Sequence, residues 1–118
     1  MNFFEEMPFV SLNANNFDEQ VLAKSTDLTC VFFWGHNCPN CDVAKASLLE
    51  EKQAVLSWPL RWFHVNAYEE SDLATRFGLY GIPVFIFFRN GKNLGRVTSY
   101  PGFEEFEKVV RKLLTPVA

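Results

Sequence analysis

Apolar residues along this chain fall into two patterns, unbroken runs of strand length and stripes at helical spacing, and the two kinds alternate. Leu28 to Trp34 is a continuous apolar and β-branched run, as expected of a central strand covered on both faces. A short strand over Phe9 to Leu12 is expected before it. Between them Phe17, Val21 and Leu22 recur at helical spacing after Asn15 and Asn16, either of which can cap a helix over about residues 16 to 24. From Cys41 the residues Val43, Ala44, Ala46, Leu48, Leu49, Ala54 and Val55 keep a helical period, which predicts the longest helix, ending before Pro59. Leu60 to Asn66 reads as a strand, and Glu69 to Phe77 as a short helix stopped by Gly78. Val84 to Arg89 and Asn93 to Val97 flank Asn90-Gly91, a strong signal for a hairpin with a type I′ turn. Phe103, Phe106, Val109, Val110, Leu113 and Leu114 fit a closing amphipathic helix. Crossovers imply parallel strands and the hairpin an antiparallel edge. The pattern therefore predicts an α/β fold, a mixed sheet sandwiched between helices.

Length keeps this to one unit: 118 residues, 48% of them apolar, fit one domain over 1–118 and exclude a multidomain enzyme. Thirteen Phe and three Trp supply its core. Net charge is -3 and the basic residues are scattered singly, so nucleic acid is not an expected partner. The longest apolar run, Ile82 to Phe88, is far short of the roughly 20 residues that cross a bilayer. The first residues carry Glu5 and Glu6 where a signal peptide carries positive charge, so the expected compartment is the cytoplasm.

Three cysteines, two of them in Cys38-Pro39-Asn40-Cys41, are a poor disulfide framework and point to reactive thiols. The pair lies where the central strand and its loop hand over to the long helix. There, unsatisfied N–H groups and the positive end of the macrodipole favour a thiolate, which makes Cys38 the expected nucleophile. Cys41, one turn on and facing inward, is the expected resolving thiol. Pro39 suits a first helical turn, where its missing N–H would have had no partner. The alternative reading of a CxxC is half a zinc site, but such a site needs four ligands and only His36, His64 and Cys30 remain. No metal is therefore expected, and His36 is placed beside Cys38, where its protonated form can stabilise a thiolate. Cys30, more than about 13 Å up the strand from that loop, reads as a buried inert thiol.

Taken together, the Asn16-Phe17-Asp18-Glu19-Gln20-Val21-Leu22 stretch, Phe32-Phe33-Trp34 with a short loop to Cys38, Gly81-Ile82-Pro83-Val84 and Phe88-Arg89-Asn90-Gly91 resemble the thioredoxin family from about Phe17 to Leu114. The resemblance implies a thioredoxin fold, three layers α/β/α, and a thiol-disulfide oxidoreductase with no cofactor beyond its own Cys38–Cys41 disulfide. It also implies a cis bond before Pro83, which lets the Ile82 backbone hold an extended substrate segment. Trp34 matches the tryptophan that packs the active-site loop, while Asn37 and Pro39-Asn40 depart from the family's Trp and Gly-Pro. A second departure lies beneath the resolving cysteine, where the family buries an Asp paired with a Lys; here Phe32 and His64 stand at those positions. With the usual proton acceptor absent, His64, an ordered water or the leaving thiolate can take the Cys41 proton. The first expectation is thus a reductase of protein disulfides, re-reduced by a thioredoxin reductase or by glutathione. The alternatives are a disulfide oxidase or isomerase, and a binding module on the same scaffold.

Overall fold

The computed structural model describes residues 2–23 and 25–115. In chain order they form α1 (Phe3–Glu6), β1 (Val10–Ser11), α2 (Phe17–Val21), β2 (Leu28–Trp34), α3 (Pro39–Glu50), α4 (Lys52–Ser57), β3 (Leu60–Asn66), α5 (Ser71–Arg76), β4 (Val84–Arg89), β5 (Lys92–Thr98) and α6 (Phe103–Leu114). The strands make one mixed sheet in the order β1-β3-β2-β4-β5. β2 is central, parallel to β3 on one side and antiparallel to β4 on the other.

Burial on both faces explains the unbroken apolar run of β2. Leu28, Cys30, Phe32 and Trp34 point into a core shared with α1, α3, α4 and α6, including Phe3, Cys41, Leu48, Val55 and Phe106. Val31 and Phe33 point the other way, against Phe17 and Val21 of α2 and Leu73 of α5. Alternate residues of one strand thus serve two cores, as the period of two in an extended chain requires.

Several sequence expectations are corrected. The long helix starts at Pro39 and breaks at Glu51, whose backbone (φ -100°, ψ 28°) is no longer helical. Cys41, Ala44 and Leu48 form its buried stripe, and the next inward position is Glu51, so the break leaves that carboxylate exposed. β4 runs antiparallel to β2 although a helix intervenes between β3 and β4, so that connection passes β2 and returns the chain in the opposite direction, where a parallel strand was expected. The first helix is confined to Phe17–Val21, and the expected end at Lys24 lies outside the described residues. The strand expected over Phe9 to Leu12 is confined to Val10–Ser11. The turn α1 has no counterpart in the expectations. Its Asn2 side chain caps it by accepting from Phe4 N–H at 3.0 Å. The Asn90-Gly91 hairpin is present, with positive φ at both residues (54° and 76°), as a type I′ turn demands.

Candidate active site

The two cysteines of the CxxC segment meet where β2 delivers the chain to α3. Cys38 is the N-cap of α3, Pro39 occupies its first turn, and the Cys38 and Cys41 sulfurs are joined as a disulfide, with Cα atoms 5.2 Å apart. The Cys41 amide donates to Cys38 Sγ at 3.1 Å. That amide is one of the donors a helix start leaves unpaired, so the N-cap sulfur receives both a hydrogen bond and the positive end of a twelve-residue helix. Cys38 is 7% exposed and Cys41 fully buried, so only one sulfur can be reached from outside. Pro39 and Asn40 are exposed beside it.

The Ile82–Pro83 peptide is cis, as the resemblance implies, and brings Ile82 O to 3.7 Å from Cys38 Sγ. Gly35, ending the loop side of β2, is needed for close approach. A Cβ there would lie 2.7 Å from Ile82 Cδ1 and nearer still to the Tyr68 ring. Tyr68, two-thirds exposed, and the half-buried Ile82 thus form a rim beside the disulfide, with fully exposed Tyr80 further along the loop before Pro83. Sequence reading had no signal for Tyr68; a glycine directly after a buried strand was the available hint for Gly35.

Beneath the pair, Phe32 is fully buried and stacked on Phe85, ring centroids 4.7 Å apart at 6°. Edges of Phe3 and Phe9 close on it from the N-terminal segment. His64 sits beside Phe32 in register on β3, and its Nδ1 accepts from Trp34 Nε1–H at 2.9 Å. Phe4 stacks on the imidazole at 3.8 Å and 16°. Burial first, and the Lys45 charge second, push His64 down to about 4. The Lys45 ammonium lies 4.2 Å over the Trp34 ring, and burial lowers its own pKa against the opposing pull of Asp42. His36 is exposed, its ring edge-on to Trp34 at 5.0 Å. Cys30 is a free thiol, fully buried, and burial pushes its pKa well up. Among the described residues, no group of three or more His, Cys, Asp or Glu is placed to hold a metal ion.

A family model described as Thioredoxin matches residues 8–114. The chain belongs to the thioredoxin family. Among thioredoxins it is 27% identical over 103 residues to the chloroplastic M-type thioredoxin of Pisum sativum, covering 84% of this chain and 59% of that protein. It is 25% identical to the thioredoxin of Staphylococcus saprophyticus, over 92% of this chain and all of that one. The fold superposes on Chlamydomonas reinhardtii thioredoxin f2 with a TM-score of 0.78 at 17% identity, covering 92% of this chain and 99% of that chain. On Malassezia sympodialis thioredoxin the TM-score is 0.74 at 16% identity, covering 91% of each chain. Membership in the thioredoxin family, with the two cysteines paired at the helix start, supports thiol-disulfide oxidoreductase chemistry in general terms. Among the described residues no helix is long and apolar enough to cross a membrane.

Proposed function

We propose that this chain reduces disulfides of other proteins, with Cys38 as nucleophile and Cys41 as resolving thiol. The observation that carries the reading is a single reachable sulfur at the N-cap of α3, hydrogen-bonded by the Cys41 amide and paired with a buried second sulfur. In the reduced protein the Cys38 thiolate attacks one sulfur of a substrate disulfide, forming a mixed disulfide and expelling the other sulfur as a thiolate. Cys41 then loses its proton and attacks Cys38 Sγ, which breaks the mixed disulfide and expels the second thiolate. Two electrons pass to the substrate, and the chain is left with the Cys38–Cys41 bond.

No carboxylate stands at Phe32 to take the Cys41 proton, and His64 Nδ1 is engaged by Trp34. The departing substrate thiolate, which has to be protonated at neutral pH, is the acceptor at hand. In this reading the exposed His36, two residues before Cys38 in the chain, stabilises the Cys38 thiolate when protonated. Ile82 presents backbone groups beside Cys38 on which an extended segment of substrate can lie like an added strand, against the apolar rim of Ile82 and Tyr68. Such a reductase works in a reducing compartment, the cytoplasm, and is recharged by a thioredoxin reductase or by glutathione.

The test is to equilibrate the Cys38–Cys41 couple with glutathione and to follow reduction of a protein disulfide with either donor. A reducing couple that turns over supports the proposal. A strongly oxidising couple would favour an oxidase or isomerase, and absence of turnover with any donor would leave a binding module.

A further inference from the structure

We propose that Phe4 and His64 are positioning residues of the dithiol site, Phe4 holding the imidazole flat and His64 Nδ1 fixing the Trp34 indole at the mouth of the loop that carries Cys38. The inference deepens the reductase reading and rests on it for its functional meaning. Phe4 belongs to α1, outside residues 8–114 that match the family. The contacts form one continuous stack: Phe4 on His64 at 3.8 Å, His64 hydrogen-bonded to Trp34 at 2.9 Å, and Lys45 Nζ above both Trp34 (4.2 Å) and Phe4 (5.2 Å).

Geometry dictates the protonation state. An imidazole whose Nδ1 accepts from an indole N–H has its single proton on Nε2, and a second proton would place two N–H groups against each other. The His64–Trp34 hydrogen bond therefore exists only with neutral His64. Charged groups face it from two sides. Lys45 approaches from α3 and opposes protonation of the ring, while Asp42 acts on Lys45, raising its pKa. On the open side, a cleft of about 310 Å³ is lined by His64 together with His36, Asn66, Glu69 and Glu70. Both carboxylates there have other partners: Glu69 accepts from Asn66 Nδ2 at 3.2 Å and Glu70 from Ala14 N–H at 2.7 Å. The Phe4 ring, by covering one face of the imidazole, removes the water that would otherwise solvate the cation.

The test uses the full chain labelled with ¹⁵N in its indole and imidazole groups, the Trp34 resonance being assigned with Trp34→Phe. In the wild type the Trp34 indole and the His64 ring should titrate together with a midpoint of about 4, the neutral ring carrying its proton on Nε2. Phe4→Ala should raise both midpoints together by about 1–2 pH units. It should also add a step at the new midpoint to the pH profile of disulfide exchange, and Phe4→Tyr should restore wild-type behaviour. Should Phe4→Ala fail to fold, Phe4→Leu replaces it, and the wild-type titration still decides. Independent midpoints for indole and imidazole, an Nδ1–H tautomer, or an unmoved His64 midpoint in Phe4→Ala would each overturn the proposal. A wild type that reduces no disulfide yet shows the coupled titration would sink the reductase reading alone.

Discussion

Replacing Phe32 probes the most unusual feature of this dithiol site, an aromatic floor where a charged pair is the family's habit. The side chain is fully buried, stacked on Phe85 and edged by Phe3 and Phe9. Phe32→Ala empties that volume and should cost about 3–5 kcal/mol, the usual range for a buried phenylalanine. Phe32→Asp removes the same ring and adds a carboxyl among aromatic side chains, which raises its folded-state pKa above the unfolded value near 3.9. A raised carboxyl binds its proton more tightly in the folded than in the unfolded chain. Relative stability is therefore highest below pH 3.9 and falls by about 1.4 kcal/mol per pH unit until the group ionises. Between pH 5 and pH 7 the gap between Phe32→Asp and Phe32→Ala should widen by roughly 3 kcal/mol. A domain with 5–15 kcal/mol in total would then be close to unfolding. Urea denaturation of both variants at the two pH values reads this directly. Loss of less than about 1 kcal/mol in Phe32→Ala, or a pH-independent gap between the variants, would refute the packing described here.

Three further outcomes are expected. Cys41→Ser should leave Cys38 able to attack but not to be released, so the mixed disulfide accumulates and turnover falls by at least about 100-fold, while Cys38→Ser forms no adduct; mass spectrometry of the quenched reaction separates the two. Gly35→Ala pushes a methyl into Ile82 Cδ1 and the Tyr68 ring, both far ends of movable side chains, so stability should drop by only about 1 kcal/mol while KM for a protein disulfide rises several-fold. The neutral His64 contributes stability that is full above pH 6.5 and is lost as pH falls toward about 4, because the unfolded imidazole takes up the proton first. For this half-buried ring, with solvent screening allowed for, the difference between wild type and His64→Gln should shrink by about 1–2 kcal/mol across that window in urea titrations.

Much of this molecule is written in its sequence. β2, β3 and the hairpin were legible because their periodicity and turn residues are local, and the CxxC because spacing alone brings its sulfurs together. The break at Glu51 was legible only in hindsight, since a single inward charge interrupts a stripe whose apolar residues resume afterwards. The direction of β4 was hidden, because whether a helix-containing connection returns its strand parallel or antiparallel depends on packing between distant segments. Phe4 was missed for the same reason. Nothing local says that a phenylalanine near the N-terminus lies on an imidazole sixty residues away, and its neighbours Glu5 and Glu6 drew attention to charge. Likewise the sequence offered His64 as one of three candidate proton acceptors, with water and the leaving thiolate, but could not place its Nδ1 against Trp34.

The account turns on Cys38 being the one reactive sulfur, poised by the start of α3. Alkylation of the reduced protein as a function of pH, with the modified residue mapped at each point, measures this most directly. Modification should be confined to Cys38, with a midpoint well below the value of about 8.5 for a free thiol, while Cys41 and Cys30 stay unmodified. A midpoint at or above that value, or Cys41 reacting first, would contradict it.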